Sequence, residues 1–132
     1  MSPILVLGLQ KRVLEYVPVL TGPAVGSPAS KKRHVAKDLC QKMVDQTKDE
    51  PKCLYYGFSF EGNTAHCREG YSDAEGLLDH LERIGPLLPE ALQISDLTRL
   101  EVHGPEQELS RLRQPLAALN PQFFVLECGF RT

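Results

Sequence analysis

No tryptophan occurs among the 132 residues, and the aromatic side chains, 7% of the chain, are all Phe or Tyr. An excess of charge of one sign is also lacking, because 15 Lys and Arg stand against 17 Asp and Glu for a formal net charge of -2. Nucleic acid and anionic membranes are bound through a basic surplus, so neither is an expected partner. The four cysteines, Cys40, Cys53, Cys67 and Cys128, form no Cys-x-x-Cys pair, which argues against a zinc ribbon or a thioredoxin-like redox pair. Long hydrophobic runs are missing too. The apolar stretch Pro3 to Leu9 lacks a positively charged lead and is too short to span a bilayer, so neither a membrane span nor a secretory signal is expected. Reduced thiols in an intracellular compartment, cytoplasmic by default, are the expectation. Organelle targeting stays open, since Lys11, Arg12 and Lys31-Lys32-Arg33 are basic and acids are sparse before Asp38. The sequence has no phosphate-cradling loop, dinucleotide fingerprint, nucleophile elbow or zinc-protease helix motif.

With 42% hydrophobic and 24% charged residues the chain has the make-up of one soluble domain with a real core. Residues 1–29 read as an irregular leader, carrying Pro3, Pro18, Pro23, Pro28 and a small-residue stretch from Thr21 to Ser30. Within it, Val13 to Leu20 has strand character, and Pro18, which cannot donate to a ladder, restricts that strand to an edge or a strand end. The domain proper is expected over residues 30–132. Val35, Leu39, Met43 and Val44 recur at helical spacing and predict a helix from Lys31 to Lys48.

The clearest local signal is a hairpin, with Cys53 to Glu61 and Thr64 to Tyr71 joined by the turn pair Gly62-Asn63, whose residue types suit positive backbone dihedrals. Period-two alternation puts Leu54, Tyr56, Phe58 and Phe60 on one face with Ala65, Cys67, Glu69 and Tyr71. Tyr55, Gly57, Ser59, Glu61, Thr64, His66 and Arg68 take the other. Ser72-Asp73-Ala74-Glu75 reads as a capping box with Ser72 as the cap, opening a helix at about Asp73 whose buried stripe is Ala74, Leu77, Leu78, Leu81 and Ile84. Gly85-Pro86 ends or bends it, and Leu87 to Ile94 reads as a short helix. A strand from Asp96 to His103, a helix opened by Gly104-Pro105 and carrying Leu109, Leu112 and Leu116, and an apolar strand from Phe123 to Phe130 complete the order. This β, α, β, β, α, β order is that of an α+β, ferredoxin-like split βαβ sheet with helices on one face, to which an α-β unit is appended.

The run His66-Cys67-Arg68-Glu69-Gly70-Tyr71-Ser72-Asp73-Ala74-Glu75, followed by His80, resembles the antibiotic biosynthesis monooxygenase-like domains of the dimeric α/β-barrel superfamily. In that family the third strand ends in Glu-x-Tyr or Glu-x-Trp, a helix starts at once and a His stands on it. Glu69, Tyr71 and His80 fill those positions. Glu50-Pro51-Lys52-Cys53-Leu54-Tyr55-Tyr56 is similar to the family's turn into its second strand, with Lys52 replacing the usual Gly. The resemblance runs from about Lys37 to His103, and residues 104–132 resemble only an extended subgroup. It implies a homodimer whose two sheets close into a barrel. It also implies, in active members, oxidation of a phenolic or quinol-like molecule by O₂ without metal or other cofactor.

Among the candidate site residues, Glu69 lies on the aromatic face, where burial raises a carboxyl group's pKa toward neutrality and suits it to take a phenolic proton. The alternative is a structural carboxylate bonded to a tyrosine or an amide. His80 falls at the border of its helix's apolar stripe, either as a proton carrier or as a half-exposed, hydrogen-bonded side chain. Without a His at i, i+4 or a third ligand, a metal site is not expected. Tyr56, Tyr71 and Phe58 either hold an aromatic substrate or belong to the core. His66 and Arg68 are assigned to a dimer contact, and His34 and His103 to solvent. The absent Trp, and the lack of Asn on the first strand, distinguish the chain from several active members of the superfamily. A non-enzymatic dimerisation or accessory domain is therefore the competing reading, with the N-terminal leader as an arm that binds a protein partner.

Overall fold

The computed structural model describes residues 13–22 and 31–130, with the side chains of residues 31–34, including His34, outside the described set. A five-stranded sheet is built from β1 (Leu14–Thr21), β2 (Cys53–Glu61), β3 (Thr64–Tyr71), β4 (Asp96–Gly104) and β5 (Gln122–Val125) in the order β2-β3-β1-β4-β5. All neighbours are antiparallel except the pair β4 and β5. The helices are α1 (Lys31–Thr47), α2 (Ala74–Ile84), α3 (Leu88–Ile94) and the single turn α4 (Glu106–Leu109). This is the ferredoxin-like α+β architecture, with the appended unit adding β5 beside β4.

Proline does not keep β1 at the edge. The strand is the central one, and Pro18 sits across from Leu100 of β4. On the β3 side the ladder runs from Leu14↔Tyr71 to Tyr16↔Glu69 and resumes only at Val19↔His66, so the missing donor falls in a gap of the pairing. Buried apolar flanks compensate: Leu14, Tyr16, Val17 and Val19 are all buried. At about 1.5–3 kcal/mol per fully buried large side chain, they outweigh one lost ladder bond of about 1 kcal/mol.

In α1 the buried stripe is Ala36, Leu39, Met43 and Thr47, a spacing of three, four and four residues, while Val35 is 53% exposed. The helix thus turns a different edge to the sheet than its valine suggested. The hairpin has the predicted bounds, with the positive φ of 55° on Gly62 and an ordinary one on Asn63. A bulge between Cys53 and Tyr55 pairs Cys53 rather than Leu54 with Tyr71, so Leu54 leaves the aromatic face and is exposed. The cap of α2 is Asp73, not Ser72: its carboxylate accepts from the Gly76 N–H at 2.9 Å. A second acceptor comes from far along the chain, since buried Glu108 takes the Ala74 N–H at 2.9 Å. The helix at Pro105 shrinks to α4 followed by turns, yet Leu109, Leu112 and Leu116 are buried as expected. The last strand ends at Val125, leaving Leu126 to Phe130 outside the sheet.

The main core joins Leu14, Tyr16, Tyr71, Leu100 and Val102 of the sheet to Ala74 and Leu77 of α2 and the three buried leucines of the appended unit. A second cluster packs Leu39, Met43 and Ala91 on Tyr56 and Phe58. Both lie on the same side of the sheet, so the described helices cover one face. No described helix is long and apolar enough to cross a membrane.

Candidate functional site

Alternation along β3 sends Cys67, Glu69 and Tyr71 to the helix-covered face, while the register brings Tyr56 of β2 and Tyr16 of β1 to either side of Glu69. Glu69 is 2% exposed and accepts the Tyr71 hydroxyl at 2.6 Å on Oε1 and the Cys67 thiol at 3.1 Å on Oε2. Burial drives its pKa up to about 7, helped by the charge of Glu50 and opposed by the Tyr71 and Cys67 hydrogen bonds. Tyr16, Tyr56, Tyr71 and Cys67 are all pushed far above their usual range, first by burial and then by neighbours that include Glu69, so they stand as neutral donors.

Helix α2 supplies His80 from above. The residue is fully buried at the centre of the stripe Ala74, Leu77, His80 and Ile84, not at its border. Its Nδ1 lies 3.0 and 3.2 Å from the two carboxylate oxygens of Glu50. Its Nε2 lies 3.3 Å from Glu69 Oε1 but makes no hydrogen bond of good geometry. Desolvation lowers the His80 pKa, against the opposing pull of Glu50. The ring packs on Tyr56 and Tyr71, with centroids 5.0 and 5.5 Å away.

Glu69, Tyr71, His80 and Tyr56 therefore meet in one place, and Phe58 joins them edge-on through Tyr56 at 5.5 Å. Sequence reading overlooked Glu50, which belongs to the turn after α1 and is 30 residues from His80. The only local hint is its place ahead of Pro51 at the mouth of an aromatic strand. Its turn is well anchored: the Glu50 N–H donates to the Thr47 carbonyl at 3.0 Å and its carbonyl accepts from Cys53 at 3.2 Å. Outside this cluster, Arg68 donates to Glu15 at 2.8 Å on the open face, and His103 pairs with Glu101 at 2.8 Å and stacks on Phe124. His103 is thus engaged rather than free in solvent. No group of three or more described His, Cys, Asp or Glu side chains is arranged to hold a metal ion.

A depression of about 390 Å³ opens at the edge strand β2, lined by Tyr55, Tyr56, Gly57, Phe58, Ser59 and Arg68. Tyr56 thus borders both this depression and His80.

Comparison with solved structures agrees with this geometry. MupZ from Pseudomonas fluorescens is 45% identical over 92% of this chain and 95% of its own, with a TM-score of 0.83. The chain belongs to the MupZ family. A candidate antibiotic biosynthesis monooxygenase from Chloroflexus aurantiacus is 12% identical over 70% of this chain and 92% of its own, with a TM-score of 0.52. A conserved protein from Methanosarcina mazei is 18% identical over 71% and 91%, with a TM-score of 0.58. These two likenesses are of fold, and they give this member of the MupZ family an antibiotic biosynthesis monooxygenase-like fold. No protein-family model and no curated protein sequence matches the chain.

Proposed function

We propose that this member of the MupZ family is a small-molecule enzyme that works by proton transfer, with Glu69 and His80 as its catalytic acid and base. The observation that carries the reading is the 3.3 Å approach of His80 Nε2 to Glu69 Oε1 inside a buried aromatic surround, where neither group has water to compete for its proton. A carboxyl group held near pKa 7 takes and returns a proton at neutral pH with little free-energy cost in either direction. Tyr56, Phe58 and Tyr71 form the aromatic wall against which a planar substrate stacks.

The substrate class that fits this wall is an aromatic quinol or anthrone-type molecule, oxidised by O₂ without a cofactor. Loss of a proton from the methylene carbon of an anthrone gives an anion that itself reduces O₂. One oxygen atom becomes the new ring carbonyl, and the other leaves as water with the two hydrogens. The protein's part is to accept the proton, hold the ring and return the proton to the departing oxygen. The bare outer face of the sheet, with Tyr55 and Arg68 exposed, is the surface for a second copy in a homodimer.

Turnover of anthrones and quinols by the purified protein, followed under air and under argon, tests both levels. Activity that needs air and falls at least about a hundredfold in Glu69→Gln is the expected result. Activity that persists under argon with the same loss in Glu69→Gln keeps proton transfer and removes oxygenation. No turnover of any kind favours the accessory-domain reading.

A further inference from the structure

The cluster around His80 has more acceptors than a neutral imidazole can satisfy. A neutral ring carries one N–H and one lone pair, so it donates to one carboxylate only. Both ring nitrogens of His80 face carboxyl groups: Nδ1 meets Glu50 at 3.0 Å, and Nε2 meets Glu69 at 3.3 Å. Among the described residues no other group hydrogen-bonds Nε2. Tyr71 and Cys67 already spend their hydrogens on Glu69, and the other ionic group that acts on His80 is the cation of Arg83 on its own helix. The two carboxylates differ in how firmly they hold the ring. Glu50 approaches Nδ1 with both oxygens from a turn pinned by two backbone hydrogen bonds, whereas Glu69 offers one oxygen, off the line of the nitrogen.

We infer that Glu50 is the positioning residue of this site: it keeps a proton on Nδ1 of His80, so that Nε2 faces Glu69 Oε1 as an acceptor and one mobile proton occupies the gap between them. Two arrangements of that proton share the same net charge of the cluster. In one, Glu69 is a carboxylic acid whose O–H donates to Nε2. In the other, an imidazolium lies between two carboxylates. Passage between them moves one proton over a single contact and raises the number of buried charges from one to three, while the net charge stays at one negative. When the mobile proton leaves, two lone pairs are left face to face at 3.3 Å, which makes the emptied site a strong acceptor. The role rests on the proton-transfer reading above for its use, but the tautomer itself is a property of the resting protein.

Nitrogen-15 spectra of the histidine rings in the full-length protein, recorded without substrate from pH 5 to 9, read this tautomer directly. The expected result is an Nδ1 of His80 that stays protonated across the range, while Nε2 carries no hydrogen of its own at the alkaline end. In Glu50→Ala the proton is expected to transfer to Nε2, which then donates to Glu69. In Glu50→Gln, whose amide oxygen still accepts from Nδ1, the native tautomer is expected to return. An Nε2 that carries hydrogen at pH 9 in the unaltered protein overturns the inference, and so does a folded Glu50→Ala with the native tautomer. Since the unaltered protein alone decides the first point, a variant that fails to fold leaves the test intact. A chain inactive toward every quinol and anthrone, yet with Nδ1 protonated throughout, removes the proposed reaction and leaves the assignment of Glu50 standing.

Discussion

Two of the described histidines sit beside carboxylates, and the chemistry of the pairs is the same. His80 lies fully buried between Glu50 and Glu69, and His103 lies on the open face beside Glu101, itself paired with Arg99. What differs is water. For Glu69 desolvation is the largest influence and carries the pKa up to about 7, whereas for Glu101 the largest influence is the His103 hydrogen bond, which lowers it. The same two residue types thus give a buried pair with a carboxyl pKa raised to about 7 under α2 and an ordinary surface ion pair on the other side of the sheet. Burial is the largest influence at the first pair, with the charge of Glu50 adding to it, and hydrogen bonds from His103 and Arg99 prevail at the second.

That comparison is broken most directly by removing each ring. His80→Leu leaves Glu50 and Glu69 buried with no donor between them and is expected to cost about 3–5 kcal/mol in urea unfolding. His103→Leu is expected to change stability by about 1 kcal/mol or less. Equal effects would show that the two pairs are energetically alike after all.

Next in size is the pH dependence. Because Glu69 keeps its proton when folded up to about pH 7 and loses it near 4.5 when unfolded, its contribution favours the folded state at low pH. That contribution declines as pH rises from about 4.5 to about 7, by roughly 3 kcal/mol. His80, with its lowered pKa, runs the other way and adds stability as pH rises toward its unfolded value of 6.5. Glu69→Gln is expected to remove the decline and leave the rise, as read from unfolding midpoints at pH 5, 6 and 7. Glu101→Gln, by contrast, takes away a contribution that is present above about pH 4.5 and lost below it.

Smaller effects belong to the supports. Glu108→Ala orphans the buried Ala74 N–H at the start of α2 and is expected to cost about 1 kcal/mol, with Glu108→Gln recovering most of it. Arg68→Ala breaks an ion pair whose arginine is 65% exposed, and a change of about 0.5 kcal/mol that shrinks in high salt is expected from thermal unfolding.

Much of this was legible in the residues. The hairpin bounds, the inward direction of Glu69 and the rise of its pKa follow from period-two alternation alone, because a two-residue turn fixes which side chains share a face. Helical periodicity is less exact. It placed His80 at the border of the stripe because Leu78 and Leu81 counted as core, whereas contact with the curved sheet buried Ala74, Leu77, His80 and Ile84. Val35 misled for the same reason in α1. The cap of α2 passed to Asp73 because Lys52, from the turn before β2, pairs with that carboxylate at 3.1 Å and holds it against the helix. Glu50 and Glu108 were out of reach, since each meets its partner across 30 or more residues and no local pattern reports such a pairing.

Pro18 carries a consequence of another kind. A proline in the central strand leaves the β1–β3 ladder interrupted between Tyr16 and Val19, immediately beside the pair that holds Glu69. The β1–β4 and β2–β3 ladders stay paired at this level, so the looseness is confined to the seam between β1 and β3. Amide hydrogen exchange should therefore find the β3 stretch around Cys67 and Arg68 less protected than the paired stretches on either side, so that the strand bearing Glu69 is also the strand whose backbone breathes.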